Sequence, residues 1–203
     1  MNLVCLDLEG VLVPEVWINV AKKTGIEALK RTTRDEPNYD NLMKYRLKLL
    51  KENGLKLKDF QKVIQELGPL EGAEDFLKEL RREFQLIILS DTFYDFAMPI
   101  MEKMNMPTIF CHQLEINEDG EIINYHFRQE NQKTNAVKAL KGLNFTVFAA
   151  GDSFNDLGML EAAHRGFFYN PPENIKNNYP QFPAFYNYDD LLKAFQNASK
   201  EFK

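Results

Sequence analysis

Four runs of apolar residues, dense in β-branched and aromatic side chains and too short for helices, recur along the chain: LVCLDL (3–8), FQLIILS (84–90), TIFCHQLEI (108–116) and FTVFAAG (145–151). Between them apolar positions return every three or four residues, as in EDFLKELRR (74–82) and KTNAVKALKG (133–142), the period of an amphipathic helix. Buried strands alternating with helices predict an α/β fold: a parallel sheet covered on both faces, with its ligand site beyond the carboxyl ends of the strands. The stretch EINEDGEIINYHF (115–127) differs, because Asp119-Gly120 between two alternating runs predicts a hairpin.

From about Pro14 to Gly68 the alternation stops. EVWINVAKKTGIEALK, YDNLMKYRLKLLKENG and LKDFQKVIQEL all carry helical spacing. Leu42, Met43, Leu47, Leu49 and Leu50 mark a broad buried face, and Gly25, Gly54 and Gly68 stand where helices end. The pattern predicts a helical insertion over 14–68, directly after the first strand and above its end, within a core built from 1–13 and 69–203. Further on, NPPENIKNNYPQFPAF reads as a surface crossover in which prolines stop secondary structure, and Asp189-Asp190 open a last helix, DLLKAFQNA.

Composition narrows the class. A chain of 203 residues, 44% hydrophobic and 27% charged, fits a globular protein of one domain with an insertion or two small ones. No run is long and apolar enough to span a membrane, and the opening residues lack the basic start of a signal peptide. Cys5 and Cys111 both lie in apolar runs and read as buried thiols of a reducing compartment, so a cytoplasmic enzyme is expected. The net charge of −5 argues against a nucleic-acid partner, while small anionic substrates need only a local positive patch.

Three predicted strands end in polar sequences: DLEG, SDTF (90–93) and GDSFND (151–156). One alone would be an ordinary helix cap. Together they gather Asp7, Asp152 and Asp156 at one sheet edge with Glu9 close by, an arrangement that repels itself unless a divalent cation is bound; hard oxygen ligands of this kind suit Mg²⁺. With Mg²⁺ present, an ionised Asp can attack phosphorus and form an aspartyl-phosphate. Glu9, two residues on, can protonate the departing oxygen and then deprotonate the incoming nucleophile. Ser90 and the amides after Asp91 can donate to phosphoryl oxygens, and Lys133, opening a helix, can set a positive charge against Asp7 and the phosphoryl group.

In this order, DxxGxL, Ser90, an isolated Lys133 and GDSFND resemble the four motifs of the haloacid dehalogenase-like phosphatases. DLEGVLVPE, ELGPLEG, ILSDTFY and AAGDSFND, with the insertion after strand one, resemble the phosphoserine phosphatase branch, including bifunctional members that transfer the phosphoryl group to homoserine. The likeness spans nearly the whole chain. It implies a Rossmann-like core with a helical cap that chooses the substrate, and Mg²⁺ as cofactor. Asp7 would be nucleophile and metal ligand, and Asp152 the second direct ligand. Glu9 would be the general acid/base, meeting the metal through its backbone carbonyl. Asp156 would sit behind the ligands, orienting Lys133 or a metal-bound water, and Asn155 would face phosphate or substrate. Two places depart from the pattern: DLEGV stands for the usual DxDGT, and Ser90-Asp91-Thr92-Phe93 for Ser-Gly-Gly-Phe, which leaves Asp91 without a family counterpart.

The implied substrates are phosphoserine and homoserine, small molecules handled without nucleic acid or membrane; a homodimer is compatible with the likeness. Phosphoserine offers an ammonium, a carboxylate and a phosphate. Glu15 would pair with the ammonium, Arg46 would take the carboxylate in a two-pronged hydrogen bond, and Met43, three residues before Arg46, would shield that pair from water. By spacing alone, Arg46 reads more readily as a solvated helix charge like Lys44 and Lys48, and Glu15 as a first-turn acid favoured by the helix dipole. His112, His126 and His164 lack a ligand spacing and read as structural or surface residues. Cys5 reads as a small buried side chain, and Trp17, Phe182, Phe185 and Phe195 as packing. Rival readings are a phosphatase of the same fold for another phosphate ester, which would not need the Glu15/Met43/Arg46 set, and a phospho-accepting receiver module. A receiver lacks the insertion and carries its phosphorylated Asp after a later strand. A non-catalytic descendant would not keep every main catalytic position filled, as this chain does.

Overall fold

The computed structural model describes residues 1–32, 35–36 and 38–202. Its strands are β1 (Asn2–Leu6), β2 (Gln85–Phe93), β3 (Ile109–Ile116), β4 (Ile122–His126), β5 (Thr146–Gly151), β6 (Arg165–Tyr169) and β7 (Ala184–Phe185). They form one sheet in the order β4-β3-β2-β1-β5-β6-β7, parallel throughout except for β4, which returns antiparallel to β3 across the Asp119-Gly120 hairpin. β1 is apolar along its length because both its faces are covered. Leu3 and Cys5 pack with Ala136, Val137 and Leu140 of α6 (Gln132–Gly142). Val4 and Leu6, one pleat away, join the cluster that holds α4 (Ala73–Glu83), α5 (Tyr94–Lys103) and α9 (Tyr188–Glu201).

β1 is also where the strand order reverses. It pairs with β2 on one side (Leu6↔Ile88) and with β5 on the other (Leu6↔Ala150). The chain therefore leaves β1 into the crevice that opens where successive strands are added to either side of it, β2 and β3 on one and β5 and β6 on the other, the place where such sheets bind ligands.

Between β1 and α4 lie α1 (Val16–Thr24), a 3-10 turn (Glu27–Lys30), α2 (Tyr39–Glu52) and α3 (Leu57–Leu67). These helices share the sheet's core. Trp17 meets Phe60 edge-on at 5.2 Å, and Phe60 stacks on Phe96 of α5 at 4.7 Å. α2 is fastened at its N-terminal end, where Tyr125 of β4 donates a hydrogen bond to Asp40 and Tyr39 donates to the carbonyl of Asp91 at 3.1 Å. Its buried face is Leu42, Met43, Arg46 and Leu50, with Leu47 and Leu49 half-buried. Among the described residues no helix is long and apolar enough to cross a membrane.

Three boundaries differ from expectation. β1 stops at Leu6, and Asp7–Val13 form a tight turn in which the amides of Leu12 and Val13 both reach the carbonyl of Leu8. β2 runs on through Ser90-Asp91-Thr92 to Phe93, with its register against β3 shifting between Leu89 and Phe93, so these residues are swung out of regular pairing. The proline-rich crossover holds α8 (Glu173–Asn178) and β7; Pro172 is the N-cap of α8, where a fixed φ and a missing N–H cost nothing.

Candidate active site

Asp7 is the first residue beyond β1. Its amide still donates to Ala150 on β5 at 3.0 Å, which anchors the backbone, while its carboxylate turns into the crevice. Oδ1 accepts from the amide of Leu8 at 2.8 Å and lies 2.8 Å from Lys133 Nζ. Lys133, the second residue of α6, is buried and reaches Asp156 Oδ1 at 2.8 Å as well. The other oxygen of Asp156 accepts from the amides of Asp152 (2.9 Å) and Ser153 (3.1 Å), so the fully buried Asp156 ties the GDSFND turn together.

Two glycines make this packing sterically available. A Cβ at Gly151 would overlap the Asp156 side chain. A Cβ at Gly10 would overlap the Asp152 carboxylate, and Gly10 has a φ of +79°, in the left-handed region where side chains are strained. As a result, carboxylate oxygens of Asp7, Asp152 and Asp156 lie within 4.8 Å of one another.

The cluster is short of positive charge, since Asp7, Asp152 and Asp156 face a single ammonium. Burial, and then the charge of Asp156, push the Asp7 carboxyl well above the usual range. The same two causes raise Asp152 to about 7. Burial alone would lower Lys133, but Asp156, Asp7 and Asp91 outweigh it and hold the ammonium charged. Asp156 is committed to Lys133 and two amides. Asp7 and Asp152 remain as hard oxygen donors with excess negative charge, the chemistry a Mg²⁺ ion fits.

Beyond Asp7 the turn presents Glu9, whose Oε2 accepts from the amide of Val16 at 2.9 Å, at the first residue of α1. Burial and the nearby charge of Glu15 raise Glu9 to about 8. Glu15 is exposed at the N-cap of α1 and makes no capping bond there, while the first amide of the helix, Val16, goes to Glu9. Arg46 is buried, against the reading from spacing as a solvated charge. Its guanidinium lies 4.2 Å from the Trp17 ring centroid, Nη2 donates to the carbonyl of Arg31 at 2.9 Å, Nη1 lies 3.8 Å from Met43 Sδ, and Nε has no partner among the described residues. Burial lowers it to about 10 although the charges of Glu9 and Glu15 support it. Lys44 and Lys48 do take the solvent face, pairing with Asp40 and Glu52. The difference is angular: Arg46 falls on the stripe of α2 that holds Leu42, Met43 and Leu50.

On the β2 side Ser90 is buried and its Oγ accepts from the amide of Thr92 at 3.3 Å. Asp91 lies 3.8 Å from Lys133 Nζ and accepts from Gln132 Nε2 (3.1 Å) and Asn155 Nδ2 (3.0 Å). Burial would raise its carboxyl, but Lys133, His112, Asn155 and Gln132 hold it well below the usual range. His112, read from the sequence as structural or surface, is buried 3.6 Å from Asp91 and lines a groove of ≈ 1110 Å³ with Tyr39, Phe127, Lys133 and Asn155. No spacing marks His112 or Gln132, because their partner Asp91 comes from another strand. His126 is a surface residue beside Glu115, and His164 accepts from the Val147 amide, as expected of structural residues.

A profile of haloacid dehalogenase-like hydrolases matches residues 1–164. The chain belongs to this family. This haloacid dehalogenase-like hydrolase is 54% identical over 199 residues to phosphoserine phosphatase ThrH of Pseudomonas aeruginosa, which covers 98% of this chain and 97% of that relative. It is 51% identical to a phosphoserine phosphatase of Pseudomonas syringae pv. tomato, over 98% of this chain and 84% of the relative. Among solved structures, a phospho-aspartyl intermediate analogue of phosphoserine phosphatase aligns with a TM-score of 0.78 at 21% identity, covering 95% of this chain and 98% of the other. That last likeness is one of fold, and it bears out the α/β architecture; the profile match and the Pseudomonas relatives bear out the family resemblance that the four motifs implied.

Proposed function

We propose that this hydrolase is a Mg²⁺-dependent phosphoserine phosphatase that also transfers the phosphoryl group to homoserine, working through an aspartyl-phosphate on Asp7. The observation that carries the substrate is Arg46: a buried guanidinium whose Nε has no partner among the described residues, beside Glu9 and Glu15, suits the carboxylate of an amino acid and has no evident use for an uncharged ester. The full-length similarity to relatives named phosphoserine phosphatase supports the same reading.

Asp7, Asp152 and the carbonyl of Glu9 would hold Mg²⁺, which would draw charge from the phosphoryl oxygens. The remaining steps belong to the chain. Leu8 and Lys133 hold Oδ1 of Asp7, leaving Oδ2 to attack phosphorus as the bond to the serine oxygen breaks. Glu9, raised into the range where it carries a proton near neutrality, gives that proton to the serine oxygen. The resulting carboxylate takes a proton from water or from the homoserine hydroxyl, whose oxygen attacks the aspartyl-phosphate and frees Asp7. Lys133, steadied by Asp156, balances charge on the phosphoryl oxygens throughout, and Ser90, whose Oγ accepts from the Thr92 amide, keeps its own O–H as a further donor. Glu15 binds the ammonium, Arg46 the carboxylate, and Met43 keeps water from that pair. The helices of 14–68 act as a cap over this pocket, so water and homoserine compete according to how well the cap closes. Cys5 and Cys111, both buried and free, fit a reducing cytoplasmic setting.

The test is to incubate the protein with phosphoserine and Mg²⁺, with and without homoserine, and quantify phosphate, serine and phosphohomoserine by mass spectrometry. Phosphohomoserine formed at the expense of phosphate is the expected result. Phosphate release indifferent to homoserine would leave a plain phosphatase, and no turnover of phosphoserine would overturn the substrate assignment.

A further inference from the structure

We infer that Asp91 and His112 form a positioning pair that holds Lys133 and Asn155 in place around the phosphoryl site, a role for which the Ser-Gly-Gly-Phe pattern has no counterpart. It rests on the phosphoryl-transfer reading of the Asp7–Lys133 cluster. Asp91 is where four parts of the fold converge: it belongs to β2, and its carboxylate meets His112 of β3, Gln132 and Lys133 of α6, and Asn155 of the GDSFND turn. Each oxygen has a distinct task. Oδ1 takes Gln132 and faces His112; Oδ2 takes Asn155 at 3.0 Å and faces Lys133 at 3.8 Å.

At 3.8 Å the ammonium is attracted without being hydrogen-bonded. Lys133 keeps two N–H bonds for Asp7 and Asp156, both at 2.8 Å, and its third stays free for a phosphoryl oxygen while Asp91 draws it toward the groove. Asn155, exposed at the rim, would otherwise swing: its Nδ2 is held by Asp91 and its Oδ1 accepts from Ser153.

His112 is held at Nδ1 and faces Asp91 Oδ1 through Nε2 at 3.6 Å, close enough for attraction but longer than a hydrogen bond. The Arg128 amide donates to Nδ1 at 3.1 Å, which leaves the ring proton on Nε2, aimed at Asp91 Oδ1. Edge-on contacts with Phe127 (4.9 Å) fix the ring plane. Gln132, also buried, completes the support by bonding the Ser90 carbonyl as well as Asp91. Asp91 is thereby set from behind by β3 and α6, and it sets Lys133 and Asn155 in front.

The pair is tested with Asp91→Asn, His112→Gln, His112→Asn and the double variant Asp91→Asn/His112→Asn, in Mg²⁺. Turnover of phosphoserine and of p-nitrophenyl phosphate is measured alongside Tm. Binding of orthovanadate, which probes the phosphoryl pocket without turnover, is measured by calorimetry. A glutamine at 112 places an N–H near the position of Nε2 and should rescue; an asparagine mimics Nδ1 and should not. Expected is a fall in kcat of roughly 10- to 100-fold for Asp91→Asn and His112→Asn, with KM changed far less. His112→Gln should stay near wild type and the double variant should be no worse than Asp91→Asn. Vanadate affinity should follow the same order. Additive losses in the double variant, or losses that follow Tm rather than the Gln/Asn distinction, would reduce the pair to packing. If the wild type turns over neither ester, the proposed function fails by itself, and the vanadate series still decides whether Asp91 and His112 position the pocket.

Discussion

The guanidinium of Arg46 lies 4.2 Å from the centre of the Trp17 ring, with both residues buried although they come from different helices, α2 and α1. Trp17 is itself wedged against Phe60 and Phe96, so the face that Arg46 rests on is fixed to the sheet side of the molecule. A cation stacked in this way is oriented before any ligand arrives, and an oriented donor loses little freedom on binding.

Arg46→Ala should therefore raise KM for phosphoserine about 10- to 100-fold, the worth of a charged hydrogen bond, with kcat changed little. Hydrolysis of p-nitrophenyl phosphate, which has no carboxylate to bind, should be nearly unaffected. Steady-state kinetics on both esters decide the matter: equal losses would remove Arg46 from the substrate pocket.

Asp7→Asn keeps an acceptor for the Leu8 amide and nearly the same volume, so the fold should persist and Tm should move by only a few degrees. Turnover should fall by more than about 10³-fold, as for loss of a nucleophile. Activity retained in this variant would rule out the covalent route.

The acid cluster makes metal binding and pH interdependent. Asp152 and Asp7 have folded-state values above their unfolded ones, so the folded protein holds protons that the unfolded chain releases. Stability of the metal-free protein should consequently fall as pH rises from about 4 through about 7. A divalent cation competes for the same oxygens and should offset that loss. Thermal melts with Mg²⁺ against EDTA should show a larger gain in Tm at about pH 8 than at about pH 6; an equal gain at both would mean that the carboxylates do not bind the ion.

Gly10→Ala introduces a Cβ into the Asp152 carboxylate at a φ of +79°. The backbone conformation alone costs about 1–2 kcal/mol, and the displaced Asp152 should weaken Mg²⁺ binding beyond what the lower Tm explains. Calorimetric titration with Mg²⁺ below the melting range separates the two effects. Unchanged affinity would place Asp152 outside the metal site.

Much of the architecture was legible in local pattern. Strands buried on both faces read as short apolar runs, the helices between β1 and α4 as helical spacing between glycines, and the acids as a set because all three follow strands of one parallel sheet. These are properties of neighbouring residues, and the period of a helix or the end of a strand is settled within a few positions. The proline-rich crossover misled for the same reason: prolines suggest interruption, but Pro172 sits at the N-cap of α8, the one part of a helix that tolerates it.

What tertiary structure decided was which side chains are turned inward and who meets them. Arg46 and Lys44 are alike as letters, yet the docking of α2 against Trp17 and β4 buries the first and leaves the second in water. His112 and Asp91 are distant in sequence, and only the parallel pairing of β2 with β3 sets one beside the other. Residue types and spacing by themselves determined the chemistry on offer: carboxylates, one lysine, and glycines where backbones crowd. The three-dimensional packing determined the electrostatics, because a charge is shifted by burial and by its spatial neighbours, and both are set by contacts between elements that the chain order leaves far apart.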